Sequence, residues 1–541
     1  MILKGNIVDI VKRNIFKGEL HIKNNRIERI VRNEAISETH FILPALVDAH
    51  IHIESSMLIP SEFARLASVH GTVATVSDPH EIANVLGVEG IDFMIENAKK
   101  VNFKFFFGAP SCVPATPFET SGAVIDSKAV EELMSRKEIK YLSEMMNFPG
   151  VLYEDKEVHA KLHAAQKYHK PIDGHAPGLK GKEAEKYAKS GITTDHECFT
   201  ISEAIDKINY GMYVQIREGS AAKNYHTLAP LIDAHPEHIM LCSDDKHPND
   251  LEKGHMDEVI RRALSDGYDL MNILTACVLN PVKHYHLEVG LLQEGDPADC
   301  IIVDDMEAFN VLETYSDGVL IAQNNQTKIK SVPSKPINKF YKNTLSLKDL
   351  EVAYEKGNYK IIQAIDGELI TPLISETAIN KNGLIESDTS KDILKILVLN
   401  RYEKATPAIG FIRGFGFKEG AIASSVAHDS HNIIAVGVSD RELLKAVNLV
   451  IQKEGGVSWV SGDDSKVLGL PVAGIMSNDD AWQVAKNYED IEVLAKGLGG
   501  SLKAPYMTLS FMALLVIPEL KLSDKGLFDG TKFAFTDLID K

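Results

Sequence analysis

Apolar residues along this chain gather in short runs, and between residues 43 and 284 those runs alternate with stretches of helical period. The runs are LPALVDAH (43–50), GTVATVSDPH (71–80), FKFFFGAP (103–110), KYLSEMMN (140–147), PIDGHAPG (171–178), ITTDHECF (192–199), GMYVQIREGS (211–220) and HIMLCSDD (238–245). Segments such as SEFARLASVH, GVEGIDFMIENAKK, DSKAVEELMSR and KEVHAKLHAAQKYH lie between them. Alternating strands and helices predict an α/β fold, here a (β/α)8 barrel over residues 43–284.

The flanks carry a different pattern. Residues 1–42 read as short strands with a hairpin turn at Asn24-Asn25. A matching signal, a Gly-Asp-Pro turn before an apolar strand, returns at GLLQEGDPADCIIVDD (290–305). Residues 1–42 and 285–340 are therefore expected to form one small β-sandwich beside the barrel. The polar stretch SVPSKPINK (331–339) reads as a linker, and residues 341–541 as a further α/β-patterned domain.

The ends of the eight runs hold the candidate chemistry. His50 and His52 close the first, and alternate strand residues share a face, so the two imidazoles project together as half of a transition-metal site. Glu144 ends the fourth run, where it could span two metals; His175 and His196 follow the fifth and sixth; Asp244 ends the eighth. In a barrel of this kind, chemistry sits at that face. If the strand extends that far, the same alternation puts Asp245 on the face opposite Asp244, while Asp245 and His247 suit a helix start as well as contact.

Other residues near these ends allow two readings. His80 and Glu81 face the mouth beyond the second run and suit hydrogen bonding or proton delivery, while Glu81 also suits the dipole of the helix it begins. Arg217, Glu218 and Ser220 offer a donor–acceptor set to a substrate, or Arg217 and Glu218 could form a buried pair holding loops. Asp195 could orient a neighbour of His196. In the C-terminal domain, His428, Asp429 and His431 of SSVAHDSHNIIAVG could bind a metal, reach the barrel mouth or make a satisfied polar turn. The glycine-rich RGFGFKEG (413–420) lacks both G-x-G-x-x-G and the Walker pattern, so no phosphate site is assigned to it.

Composition narrows the field. The 541 residues are too many for one core, and 44% hydrophobic with 25% charged residues is ordinary for a globular protein. A formal net charge of -18 argues against nucleic-acid backbones and anionic membranes, though not against a small purine substrate. Five scattered cysteines without C-x-x-C indicate no disulfide framework and a reducing compartment. The N-terminus lacks a signal-peptide core, and the apolar stretch Met507–Leu520 is broken by Ser510, Pro518 and Glu519, so a cytoplasmic chain without a membrane span is expected.

The order His-x-His, acidic residue on the fourth strand, His, His, Asp resembles the amidohydrolase superfamily. Within it, DAHIHIESSM, SDPHEIANVLG, EMMNFPGV, GHAPGL, REGS and HDSHNI resemble the adenine deaminase family over nearly the whole chain. That resemblance implies hydrolytic deamination of adenine to hypoxanthine and ammonia by a metal-bridging hydroxide, in purine salvage. It implies two divalent metal ions, Mn(2+) or Fe(2+) ahead of Zn(2+), held by His50, His52, Glu144, His175, His196 and Asp244. Asp244, His80 and Glu81 would be catalytic; Arg217, Glu218, Ser220, His428 and His431 would bind substrate; a homo-oligomer is expected. Relatives acting on cyclic amides use a carbamylated lysine on the fourth strand, whereas here Lys140 begins that strand and Glu144 ends it. Another binuclear amidohydrolase activity, or a scaffold without catalysis, is the competing reading.

Overall fold

The computed structural model describes residues 1–377 and 379–540. All eight predicted strands are present and parallel. β1 (Leu46–Ile51), β2 (Thr72–Ser77), β3 (Lys104–Ala109), β4 (Ile139–Met145) and β5 (Ile172–Gly174) pair in sequence order as a five-stranded sheet. β6 (Thr194–Asp195), β7 (Tyr213–Arg217) and β8 (Ile239–Cys242) form a three-stranded one. Every residue of β1 and β2 is buried, as expected for strands covered on both faces. Helices begin where sequence signals place them: Asp126, Asp155 and Thr200 each accept a main-chain N–H of the first turn they precede.

The two parallel sheets meet at two seams. Between β5 and β6, the Thr193 amide donates to the Ile172 carbonyl at 2.9 Å. Between β8 and β1, the Asp244 amide donates to the His50 carbonyl at 2.9 Å, and Ile51 bridges Asp244 in parallel. β5 and β6 are short. A Cβ on Gly174 would lie 2.4 Å from the Thr194 carbonyl oxygen, so glycine permits this approach, and Pro177 lacks an N–H with which to extend pairing.

The eight strands of the flanking β unit hydrogen-bond as one sheet, and its two ends share a core of Leu20, Ile22, Ile27, Ala298, Cys300 and Tyr315. The strand Phe41–Pro44 is the reason, because it pairs parallel with Ile2–Asp9 on one side and antiparallel with Cys300–Val303 on the other. The same strand runs directly into β1, which anchors the first two histidines. Asn24 and Asn25 both adopt positive φ, as the tight hairpin between paired Lys23 and Arg26 requires.

The C-terminal region is built on a mixed sheet that includes Leu394–Leu399, Ile433–Gly437 and Gly456–Ser461, with the helix Asp440–Lys453 packed against it. One face of this sheet, with Ile396, Val398, Ile434 and Val436, joins the apolar core of the parallel sheets, which runs from Ile53 and Phe63 through Met476 and Phe511, while the other face packs a separate core against the helix. It docks next to β1. The Ser477 amide donates to the Met57 carbonyl at 2.8 Å, and the Ala481 amide donates to the buried Glu62 carboxylate at 3.1 Å. Met507–Leu520 is a core element, and no helix among the described residues is long and apolar enough to cross a membrane. The glycine-rich RGFGFKEG is a turn in which Asp392 accepts the amides of Gly414 and Gly416, so its backbone donors are already satisfied.

Candidate active site

The six residues expected to hold metal converge at the C-terminal ends of the parallel strands. His50 Nε2 and His52 Nε2 face each other at 3.3 Å, and Asp244 Oδ1 lies 3.8 and 3.3 Å from them. Glu144 sits between two sets. Its Oε1 is 3.5 Å from His52 Nε2, while its Oε2 is 2.8 Å from His175 Nδ1 and 3.0 Å from His196 Nε2. Donor atoms around a cation at about 2.1 Å are themselves about 3.0–3.4 Å apart. The two sets have spacings near that range, and all six side chains are buried. Two imidazole nitrogens turned toward each other beside carboxylate oxygens need a shared proton or a cation, so the donor set fits divalent metal.

Supports fix each of these side chains. The Tyr187 hydroxyl donates to the Met145 carbonyl and accepts the His175 amide, joining the ends of β4 and β5. Asp195 accepts the Ala176 and Glu197 amides and pairs with buried Lys207 at 3.1 Å, so it orients both histidine-bearing loops. Asp48 staples β1 to β8 through the Ser243 amide at 3.0 Å and His255 at 2.9 Å. Arg217 donates to Asp244 Oδ2 at 2.6 Å and to both oxygens of Glu197.

The charges around the cluster are strongly coupled. Burial would favour a neutral His175 ring, but Glu197 and Glu144 outweigh it and push its pKa up to about 9. Burial would likewise raise Glu144 and Asp244. The neighbouring histidines hold Glu144 well below the usual carboxylate range, and Arg217 with His52 does the same for Asp244. His80 is raised well above the ordinary imidazole value despite its burial, because Asp78 and Asp429 flank it. Its Nδ1 is 3.2 Å from Asp78 and 3.4 Å from Glu144, and its Nε2 is 3.7 Å from Asp429.

Above the cluster, the cavity is closed by the C-terminal region. His428, Asp429, Leu369, Phe511 and Leu514 line it opposite the metal-ligand set. The His428 ring lies nearly parallel to Phe511, with centroids 5.0 Å apart, and its Nδ1 is 3.3 Å from Glu81. Ser55 donates its one proton within reach of both Glu81 at 3.0 Å and Asp245 at 2.5 Å.

Residues 41–321 match the amidohydrolase family, and residues 368–534 match the adenine deaminase C-terminal domain. A relative from Sulfurovum sp. (strain NBC37-1), named adenine deaminase, is 53% identical over 538 residues, which cover 99% of each chain. This chain belongs to the adenine deaminase family. A second member, from Methanosarcina barkeri, is 53% identical over 99% of this chain and 98% of its own. Among solved structures, N-acetyl-D-glucosamine-6-phosphate deacetylase from Mycobacterium smegmatis aligns with 60% of this chain at 14% identity and a TM-score of 0.46.

The structure brings some of the residues singled out from sequence to the cavity and places others away from it. Lys140 lines a separate cavity, with Lys137 and Phe105, away from Glu144. Arg217 reaches the cluster, but its acidic partner is Glu197 and not Glu218, which pairs with Arg262 and Lys223. Ser220 bonds Asp250 and the His247 amide, so Glu218 and Ser220 are not in the cavity lining. His428 lines the cavity, whereas His431 sits behind it, its Nδ1 accepting the Ala427 amide. Asp245 does not point away as strict alternation predicts. Pairing in β8 stops at Cys242, and Asp244 takes a left-handed φ of 57°, so both Asp244 and Asp245 line the cavity. Asp429 reaches the cavity beside His428, while Asp78 and Phe511 are additions that sequence reasoning left without a role; Asp78 was legible in SDPH, two residues before His80.

Proposed function

We propose that this chain hydrolyses adenine to hypoxanthine and ammonia at a centre of two divalent cations. The observation that carries the reading is the ring of six buried ligand-type side chains divided by Glu144, in a chain aligned end to end with adenine deaminases. His50, His52, Asp244 and Glu144 Oε1 would hold one cation, and Glu144 Oε2, His175 and His196 the other. Mixed imidazole and carboxylate donors suit Mn(2+) or Fe(2+) ahead of Zn(2+). Cations there would acidify water and so supply hydroxide to attack the amine-bearing ring carbon.

The protein's own residues handle the protons. Asp244 accepts the proton lost by the attacking water, and Arg217, fixed on its Oδ2, aims the carboxylate at the cluster. That proton passes to the departing amino group, which leaves as ammonia. His80, held between Asp78, Glu144 and Asp429, presents a second ring N–H toward the purine. Glu81 acts through His428 and is a positioning residue in this scheme. Leu369, Phe511 and Leu514 exclude water and offer the flat base an apolar surface.

The seams at β5–β6 and β8–β1 support a closed eight-stranded barrel over residues 43–284, with residues 1–42 and 285–340 as a β domain and 341–541 as a C-terminal domain. A cytoplasmic homo-oligomer acting in purine salvage completes the proposal; equilibrium sedimentation tests the oligomer. Ammonia release from adenine, adenosine, guanine, cytosine and dihydroorotate tests the substrate. Adenine should be preferred strongly; faster turnover of adenosine or dihydroorotate would refute the assignment.

A further inference from the structure

Lys521 is fully buried, yet among the described residues it makes no ion pair. Its ammonium group donates to two main-chain carbonyls, Leu369 at 2.7 Å and Phe511 at 3.1 Å. Both residues line the roof of the catalytic cavity, and they come from distant parts of the chain. A buried ammonium without a carboxylate is costly, and burial lowers its pKa to about 7. A fold that needed only filled space there would be better served by methionine.

We propose that Lys521 is a positioning residue for the substrate pocket, clamping the main chain at Leu369 and Phe511 and so fixing the roof over the metal-ligand cluster. The two clamped segments are not equivalent. Residues around Leu369 are also sewn to the Lys521 strand through Thr371, whose hydroxyl donates to the Leu520 carbonyl at 2.8 Å and whose carbonyl accepts the Leu520 amide at 3.2 Å. Among the described residues, the hydrogen bond that Phe511 takes from this strand comes from the lysine alone. From Phe511 the connection continues to the site: the His428 amide donates to the Ser510 carbonyl at 3.2 Å, and the His428 ring lies on Phe511. Loss of the clamp therefore frees Phe511 and His428 together while leaving the metal ligands untouched.

The inference rests on the adenine deaminase reading only for its kinetic arm. Full-length Lys521→Met and Lys521→Gln are compared with wild type by adenine kinetics, metal content and amide hydrogen exchange. In Lys521→Met, KM for adenine should rise about tenfold, with bound metal unchanged. Exchange should accelerate in peptides covering 367–371 and 509–514 and not elsewhere, and Lys521→Gln, which keeps a shorter donor, should fall between. If wild type leaves adenine unchanged, the substrate reading fails and the exchange comparison still decides the clamp. Unchanged local exchange, unchanged KM in an active enzyme, acceleration spread over the whole chain, or failure of both variants to fold would overturn it.

Discussion

Single side chains decide how metal and protons are held. Glu144→Gln leaves one carbonyl oxygen in place of two carboxylate oxygens, so the variant should lose about one metal ion per chain and at least a hundredfold in turnover. Metal analysis of the purified variant checks this; full occupancy with normal turnover would remove Glu144 from the bridge. Asp244→Asn should lower turnover by about 10²–10⁴-fold while keeping most of the metal. Because Asp245 also faces the cavity, Asp245→Asn should cost an intermediate amount and not be silent; steady-state rates of both variants settle the order. His175, with its pKa near 9 in the metal-free protein, must lose a proton to bind a cation. Metal affinity should therefore rise with pH from about 6.5 toward 9, with protons released on loading, as titration in weakly buffered solution would record. The convergence of the six proposed ligands was legible because each stands at the end of an apolar run. The partner of Arg217 was not, because Glu197 follows a histidine on another strand and only the fold brings them within bonding distance.

The elements follow the sequence closely where hydrophobic runs are long and depart where local geometry interrupts them. β5 and β6 have three and two residues, and their approach depends on Gly174. Gly174→Ala should destabilise the protein by about 1–3 kcal/mol and weaken metal at His175 and His196 more than at His50 and His52. Thermal denaturation with metal analysis tests both parts. The turn after β8 shows why the condition on Asp245 is not fulfilled: period-two alternation holds only while pairing continues, pairing stops at Cys242, and a left-handed residue resets the faces. The β unit was recognisable from its hairpin signals, but whether its segments form one sheet or two depends on Phe41–Pro44, whose two neighbours are set by pairing and not by hydrophobic pattern.

At the scale of the molecule, the C-terminal region is part of the site. It shares one apolar core with the parallel strands and supplies His428, Asp429 and Phe511 to the cavity. Sequence patterning pointed to His428 but not to Phe511, because an aromatic in an apolar run reads as core until the fold shows what it covers. The whole arrangement argues for a centre of two metals that serves one small base enclosed between the two domains. The most direct test is titration of metal-free protein with Mn(2+) while ammonia released from adenine is measured. The account predicts negligible release without metal and a rise that saturates at two equivalents per chain. Full ammonia release from the metal-free protein, or saturation at one equivalent, would contradict it.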